Sequence, residues 1–131
     1  MAKIKIGFVG VGGMGQCAHL RNYVPLPDVE VVAIAELRPE LAKKVANKYF
    51  IPHVYPNHEE MFAHEKLDAI VAAQQFTTHG QLVPELLKVG VPLLTEKPVA
   101  ANIQAGEKIV EAVKKSGTFY MVANHKRSDP A

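Results

Sequence analysis

Apolar runs alternate with helical patterns along the whole chain. Strands are expected at 3–9, 29–35, around 52–55, 68–73, 91–95 and 118–123, each a short Val-, Ile-, Leu- or Ala-rich run, with amphipathic segments between them. In the first helix Met14, Cys17, Leu20 and Val24 fall on one stripe, and Pro25-Leu26-Pro27 stops it. The second starts near Pro39 and has Leu41, Ala42, Val45, Ala46 and Tyr49 as its buried face. Leu82, Val83, Leu86 and Leu87 repeat at helical spacing, with Thr77 or Thr78 as a cap and Gly90 as the stop. Pro84 interrupts that pattern, because a proline removes a helical hydrogen bond, so the regular helix is expected to begin near it. The last helix takes Asn102 as its N-cap, turns Ile109, Val110 and Val113 inward and ends at Gly117. Six strands joined by helical crossovers predict an α/β fold: a doubly wound, six-stranded parallel sheet with helices on both faces, in three α/β/α layers.

The first strand runs into Gly7-Phe8-Val9-Gly10-Val11-Gly12-Gly13-Met14-Gly15 and from there into a helix. That is the context in which the Gly10-x-Gly12-x-x-Gly15 spacing reads as a dinucleotide loop of the Rossmann type. Gly10 allows the tight turn, Gly12 lets a pyrophosphate approach the backbone, and Gly15 lets helix and sheet pack closely. The anion would sit on free N–H groups at the helix start, beside Gly13 and Met14. Glycines at this spacing also occur in ordinary flexible turns, and the neighbouring strand separates the two readings. It closes on Glu36, 21 residues after Gly15, where a ribose-binding carboxylate would stand. A solvated loop acid is the alternative for Glu36. Arg38 has three readings: stacking on adenine, meeting a 2'-phosphate, or plain solvation.

Composition narrows the field. The 131 residues are 48% hydrophobic and 21% charged, enough for one core and too few for a second domain. The net charge of +2 is spread along the chain without a basic stripe, which argues against nucleic acid and membrane surfaces as partners. There is no apolar run near membrane-spanning length and no signal-peptide pattern, so a cytoplasmic protein is expected. Cys17 is the only cysteine and is expected to be a small buried residue. His19, His53, His58, His64 and His125 form no His-Glu-x-x-His arrangement, so no metal site is expected, and His58 and His64 read as solvated. No Gly-x-Ser-x-Gly elbow supports hydrolase chemistry.

Ligands of such sheets bind beyond the C-terminal ends of the strands, which selects residues 10–15, Glu36, 74–79, 96–98 and Asn124. Thr95-Glu96-Lys97-Pro98 follows the fifth strand. A lysine there can take or relay the hydroxyl proton when hydride leaves an alcohol carbon for a nicotinamide; a strand-end lysine facing water is the alternative.

Four features together resemble the glucose-fructose oxidoreductase / inositol dehydrogenase / MocA oxidoreductases: the loop at 10–15, His79 set 17 residues before Glu96, the Glu96-Lys97-Pro98 triplet, and Asn124 through Arg127-Ser128-Asp129-Pro130. The resemblance covers the whole chain. It implies an NAD(P)-dependent enzyme acting on a sugar, polyol or related hydroxy compound, with Lys97 as the catalytic lysine and Glu96 near the nicotinamide ribose. The cofactor contacts it implies come from Gly10, Gly12, Gly13, Met14, Glu36, Arg38, Gln74, Gln75, His79, Glu96, Lys97 and Asn124. It also implies a cis peptide at Lys97-Pro98. Where the family has Thr-Pro-Asn after the fourth strand this chain reads Gln74-Gln75-Phe76, so backbone contacts rather than side chains are expected there. The family continues into a second domain that supplies substrate contacts and the usual oligomer interface, so 1–131 reads as the cofactor domain of a longer parent. The Glu36 carboxylate, which accepts from a 2'-hydroxyl, favours NAD over NADP, with Arg38 as the opposing feature that leaves NADP open. An uncovered sixth-strand edge makes self-association plausible. An NAD-binding sensor and an NAD-dependent glycosidase of the same family are the competing readings.

Overall fold

The computed structural model describes residues 2–130. They fall into two compact units, the first ending at Ala73 and the second starting at Gln74. The first contains β1 (Ile4–Val9), helix α1 (a π-type stretch, Gly15–Leu20, continued by Arg21–Tyr23), β2 (Val29–Ala35), α2 (Pro39–Tyr49), β3 (His53–Tyr55), α3 (His58–His64) and β4 (Ala69–Ala72). Its strands are all parallel, in the order β3-β2-β1-β4. The chain therefore travels outward from β1 to β3 and then crosses back to the other side of β1. That reversal is the switch point at which open α/β sheets bind ligands.

Residues 31–35 of β2 are all buried, which is why this strand is a continuous apolar run rather than an alternating one. Phe8 lies opposite Ile34 on one side and Val71 on the other and is fully buried. Burial of a side chain of that size is worth about 1.5–3 kcal/mol. The β1–β2 register shifts between Ile6, which faces Val31, and Gly7, which faces Ala33, leaving Val32 as a bulge. Pro39 opens α2, and Phe50 closes it in the left-handed region (φ 56°), its N–H donating to the Ala46 carbonyl.

The second unit contains a 3₁₀ turn (Phe76–Thr78), α4 (His79–Leu87), β5 (Leu93–Glu96), α5 (Ile103–Ser116), β6 (Tyr120–Ala123) and a 3₁₀ turn (His125–Ser128). β5 and β6 pair in parallel, Leu93 opposite Tyr120 and Glu96 opposite Ala123. α4 and α5 approach closely at Gly80, where a Cβ would come within 2.8 Å of the Ala105 Cβ. Asn102 caps α5 by accepting from the Ala105 N–H at 2.9 Å, and Gly117 ends it at φ 64°.

Several expectations are corrected. In α1 the buried residues are Gly15, His19 and Leu20, whereas Met14, Cys17 and Val24 are exposed. The cause is the π-type hydrogen-bonding: i→i+5 bonds widen the turn and move the inward stripe off the 3.6-residue period. Val110 is exposed while Ile109 is buried. α4 starts five residues before Pro84 and carries it internally; Thr78 does not cap it but donates its hydroxyl to the Gln75 carbonyl at 2.8 Å. His58 is half-buried, 3.4 Å from Glu59 and edge-on to Phe62, rather than solvated. Among the described residues no helix is long and apolar enough to cross a membrane.

Candidate functional site

In the first unit the ends of β1 and β2 lie side by side, and the Gly10 N–H donates to the Ala35 carbonyl at 2.8 Å. Glu36 comes next, with its side chain buried. Oε2 accepts from the Val11 N–H at 3.1 Å, and Oε1 from the Arg38 N–H at 3.1 Å. The Arg38 guanidinium adds Nε to Oε1 at 2.8 Å and Nη2 to Oε2 at 3.1 Å. Because the Glu36 N–H also donates to the Tyr55 carbonyl, this one residue ties together the C-terminal ends of β1, β2 and β3. Burial pushes the Glu36 carboxyl up, but the hydrogen bonds from Arg38 and Val11 and the Arg38 charge outweigh it and hold the group below its ordinary value. Arg38 is raised in turn by bonding to the ionised carboxylate. The carboxylate is 6% exposed and the guanidinium 64%, so the pair presents a planar cation at the surface.

The glycines differ in what they avoid. Gly10 has φ 86°, a conformation that favours glycine. A Cβ on Gly15 would stand 2.7 Å from the Gly10 carbonyl oxygen, so that glycine is required by packing of the loop on itself. Gly12 and Gly13 are otherwise: a Cβ on Gly12 would meet only Arg38 Nη2, at 3.5 Å, and one on Gly13 would meet nothing within 4 Å. The loop is held by Gln16, whose N–H donates to Gly12 and whose side chain donates to the Val11 carbonyl, both at 3.0 Å, and by Cys17 Sγ, 2.6 Å from the Gly13 carbonyl.

In the second unit β5 delivers a buried Glu96 followed by an exposed Lys97. Glu96 Oε2 accepts from the Lys97 N–H at 3.3 Å, and the Lys97-Pro98 peptide is cis. His79, expected as a cofactor contact, is instead fully buried at the start of α4, where packing leaves it no exposed surface, and it brings Nδ1 to 3.0 Å from the Val99 carbonyl. Thr95 Oγ1 and the Tyr120 hydroxyl are 2.8 Å apart across the β5–β6 pair. Gln75 is exposed and spends its carbonyl on Thr78, while Asn124 is exposed at the end of β6, its carbonyl accepting from the Arg127 N–H at 3.0 Å.

The model of the GFO_IDH_MocA family, an oxidoreductase family with an NAD-binding Rossmann fold, matches residues 4–124. The chain belongs to that family. Inositol 2-dehydrogenases from Rubrobacter xylanophilus and Acidothermus cellulolyticus are 33% and 31% identical to it over 129 residues, 98% of this chain. The chain spans 37% and 38% of the length of those two relatives. Among solved structures, the WlbA dehydrogenase from Bordetella pertussis in complex with NADH and UDP-GlcNAcA has a TM-score of 0.89 at 24% identity, covering 98% of this chain and 39% of that one. A scyllo-inositol dehydrogenase from Lactobacillus casei with bound NAD(H) and scyllo-inositol has a TM-score of 0.88 at 22% identity, covering 98% and 38%. The doubly wound Rossmann fold expected from the strand pattern is thus the fold of this family member.

The residues present fit the dinucleotide that such a fold binds. Gly12 and Gly13 leave space that no protein atom needs, next to the positive end of α1. The glycines and Glu36 stand at the ends of β1 and β2 as the sequence pattern expects, and the structure adds a role the pattern does not show: Glu36 braces the loop through Val11 and is shared with Arg38. Gln16 was missed as well. A polar residue directly after the last glycine of the loop was the one signal for it.

Proposed function

We propose that the chain is the NAD-binding part of a dehydrogenase acting on a sugar or polyol hydroxyl, and that Lys97 moves the hydroxyl proton. Support comes from the family, from relatives named as inositol dehydrogenases, and from an exposed lysine directly following a strand-end carboxylate. The observation that carries the cofactor half is the open space at Gly12 and Gly13 beside a buried, ionised Glu36. When bound, the nicotinamide accepts or returns the hydride. Gly12, Gly13 and Met14 would hold the pyrophosphate on backbone N–H groups with Gly10 making the turn, and Glu36 would accept from a ribose hydroxyl as Arg38 gives up a guanidinium bond to the carboxylate and flanks the adenosine. Lys97 would take the proton from the substrate hydroxyl through Nζ and pass it to solvent. The backbone of Gln74 and Gln75, together with Glu96 and Asn124, would line the nicotinamide end.

A carboxylate that accepts from a 2'-hydroxyl repels a 2'-phosphate, so NAD should bind more tightly than NADP by about tenfold or more, roughly 1.4 kcal/mol. Calorimetric titration of both cofactors checks this. Glu36→Ala should narrow the gap, and equal or tighter NADP binding by the unaltered chain would contradict the assignment of Glu36.

A further inference from the structure

The Glu96-Lys97-Pro98 segment leaves β5 and crosses to α5 without regular structure, and Lys97, Pro98 and Val99 are all exposed. Its backbone is held at two points on either side of the lysine. Upstream, the Glu96 carboxylate accepts from the Lys97 N–H at 3.3 Å. Downstream, the Val99 carbonyl faces His79 Nδ1 at 3.0 Å. His79 is 0% exposed and stands on the first turn of α4, one residue before Gly80, where α4 touches Ala105 in the first turn of α5. The Val99 end of this stretch and the start of α5 are therefore both referred to the α4–α5 contact, while the Lys97 end is tied to β5 through Glu96. A carbonyl oxygen can only accept, so the geometry puts the ring proton on Nδ1. Nε2 is then a buried acceptor, and it has no hydrogen-bond partner among the described residues. An imidazole that leaves one nitrogen unsatisfied in the interior is a poor choice for packing alone, since an apolar side chain would fill the place without that cost. Its Nδ1–H accounts for it.

We infer that His79 is a positioning residue for Lys97: its Nδ1–H clamps the Val99 carbonyl and so fixes where the Lys97 ammonium stands when it exchanges a proton with substrate. This rests on the proton-transfer reading of Lys97 and assigns His79 no contact with substrate. Asparagine can offer an N–H near the Nδ1 position, glutamine reaches toward Nε2, and leucine offers neither, so the three replacements separate the two nitrogens.

The test has two parts. Long-range proton–nitrogen NMR on this chain should find His79 in the Nδ1–H form, with the Lys97 and Val99 amide signals displaced in His79→Leu and His79→Gln and restored in His79→Asn. In the full-length protein, with NAD and myo- or scyllo-inositol, His79→Leu should lower kcat about 10- to 100-fold with NAD Kd within twofold. His79→Asn should recover to within a few-fold. The double variant with Lys97→Ala should be no slower than Lys97→Ala alone, since a residue acting only through the lysine has nothing further to remove. An Nε2–H ring, rescue by glutamine rather than asparagine, or a loss of NAD affinity that tracks kcat would each overturn the proposal. If His79→Leu does not fold, the asparagine and glutamine pair still decides. Lys97→Ala with unaltered turnover sinks the reading of Lys97 itself; slow Lys97→Ala beside normal His79 variants sinks only the positioning role.

Discussion

Within the glycine loop, residues of one type do opposite work, and substitution should separate them. Gly15→Ala would force a methyl to 2.7 Å from the Gly10 carbonyl oxygen, so it should destabilise the fold by about 1–3 kcal/mol and weaken NAD binding with it. Gly13→Ala meets no protein atom within 4 Å and lies in a helical turn, so stability should hold or rise slightly while NAD affinity falls. Thermal unfolding and calorimetry on both variants check this; loss of stability in Gly13→Ala would mean that the space serves packing. Glu36 adds a pH dependence. Its folded pKa lies below the ordinary 4.5, so the stability it contributes is fully present above that value and is lost as pH falls through the lower, folded one. Unfolding measured from neutral to acid pH should show a decline that is shallower in Glu36→Gln. The spacing made the place of Glu36 at the end of β2 legible, but its bond to Val11 was not, because nothing in a sequence shows which backbone N–H lies beside a strand end.

Among the elements, strands were read more faithfully than helix faces. All six strands appear within two residues of their expected bounds; in β2 and β4 burial on both faces leaves unbroken apolar runs, while the more exposed β3 and β6 are short apolar or aromatic stretches between turn signals. Caps were legible where a side chain has one short-range job: Asn102 and Gly117 close α5 as expected. Asn102→Ala should cost about 0.5–2 kcal/mol of stability with no change in NAD affinity, read by denaturant unfolding and calorimetry. The inward stripe of α1 was not legible. A period of 3.6 selects Met14, Cys17 and Val24, while the wider π-type turn buries His19 and leaves those three exposed, and backbone hydrogen-bond register has no compositional signature. Thr78 failed as a cap for a related reason: its hydroxyl bonds back to Gln75 within its own turn.

At the scale of the molecule, this family member spans under two-fifths of the length of the relatives it matches, and two separate assignments are proposed for it: a nucleotide loop braced by Glu36 and proton transfer by Lys97. The two assignments fail in different ways, which makes one variant decisive. In the full-length protein, Lys97→Ala would remove the proposed proton carrier and leave the glycine loop and Glu36 untouched. Acid-base assistance of this kind is worth roughly 100- to 10,000-fold, so kcat should fall by that order while NAD Kd, measured on the same preparation, changes little. Turnover within a few-fold of the unaltered enzyme would contradict the account.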